Sequence, residues 1–150
     1  MQANAKADVA EIITAVLDTN VLVSGLIGSG VPRQVVEAGL QGQYRLVTSL
    51  YLVQELAHVL SYPRIRRRLH LQDDQVQAIL AGVLAHAKVV PGAIELPGIT
   101  RDPKDDTVVA CAVEGEAAYI VSGDDDLLTL GVVRGIAVIT PRHFAEILAW

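Results

Sequence analysis

The sequence has few of the residues that support many small proteins through covalent bonds or structural metals. It contains a single cysteine, Cys111, so neither an intramolecular disulfide nor a cysteine-rich metal site can form. A lone cysteine inside an apolar stretch fits a reducing cytoplasm best, and we expect the protein to work there. The histidines lack the short spacing of zinc ligands and lie at the scattered positions His58, His70, His86 and His143.

Missing motifs exclude several functional classes. The sequence has no GxxxxGK[ST] loop to hold nucleotide phosphates and no GxSxG turn to present a nucleophilic serine. No apolar stretch approaches the length of a membrane-spanning helix. Asp8 and Glu11 interrupt the segment in which a signal peptide would need an apolar core. We therefore expect a soluble protein that contacts no membrane.

An excess of positive charge is also missing. The formal net charge is −5 at pH 7, which argues against broad electrostatic attraction to nucleic acid. That total includes clustered acidic residues, however, and a divalent cation bound among them would neutralise part of it. The net charge therefore does not exclude an RNA or DNA substrate.

What the sequence does contain is an apolar core, since 51% of its 150 residues are hydrophobic. Residues 1–13 are polar and alanine-rich, and we interpret them as a flexible tail before a single domain over residues 14–150. In that domain short β-branched runs alternate with longer helical patterns, which predicts an α/β fold, a three-layer α/β/α sandwich with a central parallel sheet. The predicted strands are 14–18, 45–48, 88–90, 119–122 and 136–139, and the predicted helices are about 20–27, 31–41, 50–61, 72–87, 104–115, 125–130 and 141–149.

Acidic residues recur where these strands end. Asp18 and Asp124 directly follow buried strands, whereas Glu55 and Asp106 lie on helices that come after apolar runs. Asp126 lies on the first turn of the helix that follows Asp124. The carboxyl ends of parallel strands share one edge of a sheet, and carboxylates gathered there repel one another unless a cation lies between them. The pattern predicts a cation site.

Each motif also has a structural interpretation. Residues 18–20 and the segment Asp102-Pro103-Lys104-Asp105 contain favoured helix-start residues, and acids at 124–126 suit a helix N-terminus. A glutamate beside an apolar stripe, such as Glu55, is commonly solvated. The helix-start interpretation accounts for both acids of the segment 102–105 and leaves Asp106 less explained. It does not explain why all these motifs lie at one predicted edge of the sheet.

One dense basic run follows the helix of Glu55. It is either a solvated, charged helix or loop, or a patch that binds the phosphates of a nucleic acid. Its residues are Arg64, Arg66, Arg67 and Arg68.

The acidic motifs and their order closely resemble those of the PIN-domain nucleases. The similar segments are 16–23, 55–60, 102–112, 121–128 and 139–144, and the resemblance covers nearly all of residues 14–149. The sequence looks most like the bacterial and archaeal branch that is assigned as toxins of toxin–antitoxin systems. In that family an α/β/α sandwich with a parallel sheet carries acids that bind Mg²⁺ or Mn²⁺ and cleave single-stranded RNA.

The resemblance implies roles for individual residues. Asp18, Glu55, Asp106 and Asp124 match the four acidic positions of the family, with Asp126 as a fifth. We expect Asp18 and Asp106 to hold the principal metal ion, Asp124 and Asp126 to help hold it or a second one, and Glu55 to orient or deprotonate the attacking water. The supporting polar positions are Asn20, Ser49, Asp102 and Ser122, the last of which is often threonine in the family.

Two other functions were weighed against a nuclease. A haloacid-dehalogenase-like phosphatase also places an aspartate after a strand, but it needs a second aspartate two residues later, where this sequence has Asn20. A catalytically silent module that binds RNA or a protein partner is the other alternative, and the complete acidic set argues against it. As partners the family resemblance implies single-stranded RNA, an antitoxin protein and a second copy of the chain, with Trp150 and the apolar final helix as dimer contacts.

Overall fold

The computed structural model of the chain describes residues 12–149. Residues 1–11, which form most of the predicted N-terminal tail, lie outside the described residues. So does Trp150, the suggested dimer contact.

A six-stranded sheet runs through the middle of the molecule in the order β3-β2-β1-β4-β6-β5. All neighbouring strands are parallel except β5 and β6, so the predicted central parallel sheet is confirmed. The first strand is buried along most of its length, as expected where helices cover both faces of a parallel sheet. The strands are β1 (Thr14–Leu17), β2 (Arg45–Ser49), β3 (Lys88–Val90), β4 (Tyr119–Val121), β5 (Val132–Val133) and β6 (Ile136–Ile139).

Strand β5 is an antiparallel edge strand that the sequence analysis did not predict. It is only two residues long, too short for a recognisable pattern. It pairs with β6 across Arg134 and Gly135, which both have a positive φ, 50° and 80°. Two such residues form the tight turn of a hairpin, but Arg-Gly is not one of the residue pairs that predict this turn from sequence.

Helices cover both faces of the sheet, which confirms the three-layer architecture. Ala15 and Leu17 of β1 face one apolar core and Val16 faces the other, because side chains alternate along a strand. The basic run forms a helix that begins at Pro63 and was not among the predicted helices. The helices are α1 (Thr19–Ile27), α2 (Val31–Leu40), α3 (Leu50–Leu60), α4 (Pro63–Leu69), α5 (Asp73–His86), α6 (Pro103–Glu114), α7 (Asp125–Leu128) and α8 (Pro141–Leu148).

Helix α8 turns its apolar side inward. Phe144 is fully buried, with its ring centroid 4.9 Å from that of Tyr44, and Leu148 belongs to the same core. These side chains are therefore not available as dimer contacts, which corrects the suggestion based on the apolar final helix. Among the helices of residues 12–149, none combines the length and the apolar character needed to cross a membrane.

The strand order indicates where along the edge of the sheet a ligand would bind. Strands β2 and β3 extend to one side of β1, whereas β4 and β6 extend to the other. The connections that follow β1 and β4 thus lead to opposite sides of the sheet. Ligands of open α/β sheets bind at such a point, beyond the carboxyl ends of the strands. The residues after these two strands, Asp18 and Ser122, meet there.

Candidate metal centre

Asp18 marks the middle of the site. The backbone N–H of Asp18 donates to the carbonyl of Val121 at 3.0 Å, so the β1–β4 pairing continues to the residue that carries the acid. The carboxylate is buried, and its Oδ2 accepts a hydrogen bond from the Ser122 hydroxyl at 2.7 Å. Burial raises the pKa of Asp18, the hydrogen bond from Ser122 opposes that shift, and the charges of Asp124 and Glu55 add to it. Negative charge is therefore concentrated around Asp18.

Two supporting residues act directly on Asp18 and its neighbours. Besides donating to Asp18, the fully buried Ser122 hydroxyl accepts from the backbone N–H of Asp124 at 2.9 Å, so one side chain links the ends of β1 and β4. Asn20 lies exposed in the first turn of α1, and its backbone amide lowers the pKa of Asp18. The other supporting residues have structural roles.

Ser49 and Asp102 cap helices, as their residue types allow. Ser49 begins α3, and its Oγ accepts from the backbone N–H of Leu52 at 3.2 Å. Asp102 begins α6, and its Oδ1 accepts from the backbone N–H of Lys104 at 2.9 Å. The structural interpretation of Asp102 thus describes its contacts fully.

Three carboxylates form a group with the geometry of a cation site. Asp105, Asp124 and Asp126 each offer an oxygen, and these oxygens lie within 4.8 Å of one another. Asp124 begins α7, where its Oδ1 accepts from the backbone N–H of Asp126 at 2.9 Å. We call Asp105, Asp124, Asp126 and the neighbouring Asp18 the acid group.

Asp105 is the member of the acid group that the sequence analysis missed. Its side chain is 6% exposed, and Oδ2 is buried without a hydrogen-bond partner among the described residues. Burial is the largest cause that raises the pKa of Asp105, and together with the charges of Asp124, Asp102, Asp18 and Asp126 it brings that pKa to about 6. A buried carboxylate oxygen without a partner is costly, and a bound cation would remove that cost.

Asp106 does not belong to this group. Its Oδ2 accepts from the backbone N–H of Gly98 at 3.0 Å, and its Oδ1 accepts from the backbone N–H of Thr100 at 2.7 Å. Burial alone would raise the pKa of Asp106, but the hydrogen bonds from Thr100 and Gly98 outweigh it and lower the pKa. Consecutive helical residues point about 100° apart, so Asp106 faces this loop while Asp105 faces the other acids. The structure corrects the sequence-based placement of Asp106 beside Asp18.

The contacts at the start of α6 explain why the sequence pattern favours a structural role for Asp105. In a capping box, the third residue after the cap would reach back to the N–H of Asp102. Here the Thr100 hydroxyl accepts the hydrogen bond from that N–H at 3.1 Å, so the Asp105 side chain is not needed as a cap at the helix start. The threonine two residues before Asp102 was the signal in the sequence that could have indicated this.

Glu55 lies at the border of the acid group, on α3. Its side chain is half-buried, and its Oε2 accepts from the Thr19 hydroxyl at 2.9 Å, which joins α3 to the start of α1. The charge of Glu55 contributes to the raised pKa of Asp18, so the two carboxylates are close enough to interact. Glu55 is held by one neutral donor rather than solvated on an open face.

The basic run divides into two kinds of arginine. Arg66 is part of the fold, since its Nε donates to the carbonyl of Leu60 at 2.9 Å and its Nη1 forms an ion pair with Asp73 at 2.6 Å. Arg64, Arg67 and Arg68 are exposed on α4. Among the four arginines, these three present their charge to solvent.

The raised pKa of Asp105 makes the stability of the metal-free protein depend on pH. Because its pKa is about 6 in the folded state, against an ordinary value of 3.8, the folded protein binds a proton more tightly than the unfolded chain. The free energy of unfolding should therefore increase as the pH falls through about 6. Thermal melts in EDTA at about pH 7.5 and about pH 5 check this against Asp105→Asn. On going to the lower pH, we expect the free energy of unfolding to increase less in Asp105→Asn than in the wild type. Equal increases in both proteins would contradict the raised pKa of Asp105.

Comparison with known proteins agrees with this fold. A model of the PIN domain matches residues 14–126. No curated protein matches the sequence significantly. The fold is similar to a crystal structure of VapBC2 from Rickettsia felis bound to a DNA fragment from their promoter, with a TM-score of 0.59 and 13% identity over 85% of this chain and 98% of the other. It is also similar to a crystal structure of FitAcB from Neisseria gonorrhoeae, with a TM-score of 0.54 and 18% identity over 86% of this chain and 99% of the other.

Proposed function

The chain belongs to the PIN domain family, and we propose that it is a Mg²⁺- or Mn²⁺-dependent endoribonuclease that cleaves phosphodiester bonds of single-stranded RNA. The observation that carries the proposal is the buried Oδ2 of Asp105, which has no hydrogen-bond partner within residues 12–149 and lies in a group with Asp124 and Asp126. A folded protein retains such a cost mainly where the group has a function.

The residues of the acid group fit a hard divalent cation. All their donor atoms are carboxylate oxygens, which suit Mg²⁺ and Mn²⁺ and do not favour zinc or copper. Asp105 and Asp124 would hold the ion, with Asp126 and Asp18 completing the carboxylate set. When bound, the ion supplies positive charge that stabilises the transition state of phosphodiester hydrolysis.

The side chains around the acid group would then divide the remaining work. Ser122 holds the Asp18 carboxylate in one orientation through the 2.7 Å hydrogen bond. Glu55 would accept the proton of the attacking water, with the Thr19 hydroxyl fixing the orientation of its carboxylate. Glu55 is only partly buried, so an attacking water can reach its carboxylate.

The direct test is cleavage of single-stranded RNA by the purified protein. We expect cleavage with Mg²⁺ or Mn²⁺ that stops in EDTA and returns when the ion is added in excess. A preparation of Asp105→Asn made in parallel controls for contaminating ribonucleases, because a contaminant would be equally active in both. Absence of cleavage with either ion, or full activity in EDTA, would contradict the proposal.

We extend the proposal to partners. The similar structure from Rickettsia felis is VapBC2 bound to promoter DNA, which supports a toxin–antitoxin role in which an antitoxin protein binds this chain. A homodimer remains part of the proposal, but without the apolar side of α8 as its contact. Light scattering of the purified chain, alone and after co-expression with the product of a neighbouring gene, measures both associations.

The exposed arginines of α4 should contribute affinity for RNA that is independent of sequence. Replacing Arg64, Arg67 and Arg68 by glutamine is expected to weaken RNA binding and to flatten its salt dependence by about 0.7 in log–log slope per lost phosphate contact. Cleavage at saturating RNA should change less, because these side chains lie outside the acid group. Arg66 stays unchanged because its guanidinium is engaged within the fold.

A second triple variant provides the matched control. Arg45, Arg134 and Arg142 are also exposed, and their replacement by glutamine changes the net charge equally. Binding measured by fluorescence anisotropy across a salt series separates local contacts from overall charge. If both triple variants lower the slope equally, α4 is a solvated charged helix without a specific role.

A further inference from the structure

A cavity of about 410 Å³ adjoins the acid group, and the proposed hydrolysis does not use it. Its walls are helix α6, the first turn of α3 and the segment 92–98 between β3 and α6. The lining is mainly apolar, with Tyr51 at the rim. Cavities of this size accommodate small organic groups.

Three connections place the cavity next to the reacting centre. Asp106 lines the cavity, and the residue before it, Asp105, belongs to the acid group. The Cα atoms of two consecutive residues are about 3.8 Å apart. Ser49 lines the cavity from the same sheet edge as Asp18. Tyr51 precedes Glu55 by four residues on α3, so the two side chains are neighbours on one helix face. The cavity and the acid group therefore lie at the same edge of the sheet, one residue apart along α6.

The cavity is preformed rather than a gap beneath a loose loop. Asp106 accepts from the backbone of Gly98 and Thr100 at one end of the segment. At the other end the Oε1 of Glu114 accepts from the backbone N–H groups of Gly92 and Ala93, at 3.1 and 3.0 Å. Two carboxylates of one helix thus fix the outer wall, and a ligand would not have to order it first.

The charges of the lining select the kind of group that fits. Neither lysine, arginine nor histidine is among the residues that line the cavity, whereas Glu95, Asp106 and Glu114 are. A phosphate would be repelled there. A neutral group with N–H donors is favoured, since a carboxylate has about four acceptor sites and the backbone hydrogen bonds described above use only two on each of Asp106 and Glu114.

We propose that this cavity receives an unpaired nucleobase of the RNA strand whose phosphate lies at the acid group, with the base stacked on Tyr51. The inference rests on the proposed ribonuclease function. Tyr51 lines the cavity and is 51% exposed, and exposed aromatic side chains are the residues on which unpaired bases stack. The carboxylates of the lining prefer bases that carry an amino group, which are adenine, cytosine and guanine, over uracil. The cavity would thus set which nucleotide next to the cleaved bond is recognised.

Abasic substrates test the inference through cleavage. A single-stranded RNA is prepared as a series with one abasic nucleotide placed in turn at each position around the cleaved bond. For the wild type, one position is expected to lower kcat/KM by about fivefold to a hundredfold, the range of base–aromatic stacking energies. Tyr51→Ala should lower kcat/KM on intact RNA by a similar factor and should no longer respond to that position. Tyr51→Phe should behave like the wild type.

Tyr62→Ala is the matched control, because Tyr62 is a 44% exposed tyrosine that does not line the cavity. If RNA is cleaved but no abasic position matters, or if Tyr51→Ala cleaves like Tyr62→Ala, the inference is overturned while the ribonuclease stands.

A second measurement does not depend on cleavage. Adenosine and uridine are titrated into the metal-free protein, and the amide signals of Gly98 and Ala110, which both line the cavity, are followed by NMR. We expect saturable shifts with adenosine, weaker shifts with uridine, and loss of both in Tyr51→Ala. Absence of any shift at these amides overturns the inference, as would a preference for uridine.

Discussion

Asp105→Asn is expected to lower metal-dependent RNA cleavage by about a hundredfold to a thousandfold while the protein stays folded. The change removes a carboxylate oxygen that lies within 4.8 Å of oxygens of Asp124 and Asp126. It removes no apolar packing. In EDTA the melting temperature should rise or stay unchanged, because the neutral amide removes a buried charge that Asp124, Asp18 and Asp126 repel.

The adjacent acid supplies the matched control. Asp106→Asn keeps the acid group and weakens two backbone hydrogen bonds to a charged acceptor, so we expect a loss of about 1–3 kcal/mol in the free energy of unfolding. Cleavage below the melting range should fall far less than in Asp105→Asn. The two variants should therefore show opposite patterns of activity and stability. If Asp106→Asn loses the activity and Asp105→Asn the stability, Asp106 is the catalytic position after all.

Glu55→Gln is expected to reduce kcat by about a hundredfold to ten-thousandfold, the usual contribution of a general base. Glutamine keeps the size of the side chain and can still accept from the Thr19 hydroxyl, so the contact between α1 and α3 remains. What is lost is the capacity to take a proton. Single-turnover cleavage at saturating RNA and Mn²⁺ measures this loss separately from binding.

Two further measurements separate a base from a metal ligand. Mn²⁺ at a hundredfold excess over its dissociation constant should stabilise the wild type by about 2.7 kcal/mol, because only the folded protein binds it. Glu55→Gln should keep most of that stabilisation, and Asp105→Asn should lose it. Thr19→Val removes only the donor that orients Glu55, so a smaller fall of about tenfold is expected. If Glu55→Gln loses the Mn²⁺ stabilisation, Glu55 is a ligand and not the base.

Local sequence patterns indicate the positions of some members of the acid group but not of all. Asp18 and Asp124 were located because each follows a buried strand, and parallel strands bring their carboxyl ends to one edge. Asp105 and Asp106 could not be separated in this way. Both lie in the first turn of α6. The directions of their side chains depend on Thr100, whose hydroxyl accepts the hydrogen bond from the backbone N–H of Asp102.

The basic run shows the same limit. The sequence indicates four arginines in a short segment, but a charge pattern does not reveal which guanidinium has a partner elsewhere in the fold. Arg66 is engaged because α4 brings it to the end of α3 and to Asp73 at the start of α5. The cavity beside Asp106 is a further case, since one of its walls comes from α3, which lies far along the chain from the segment 92–98 and α6.

The sequence by itself determined the layers of this protein, the family to which it belongs and the sheet edge that carries the acids. These follow from local patterns, namely buried apolar runs of strand length, helical periodicity and the residue types at the ends of strands. Only the tertiary structure decided that Asp105 rather than Asp106 faces the other acids, that Arg66 is part of the fold, and that Tyr51 lines a cavity. Those facts depend on the directions of side chains and on contacts between distant segments, which are settled when helices pack and loops close.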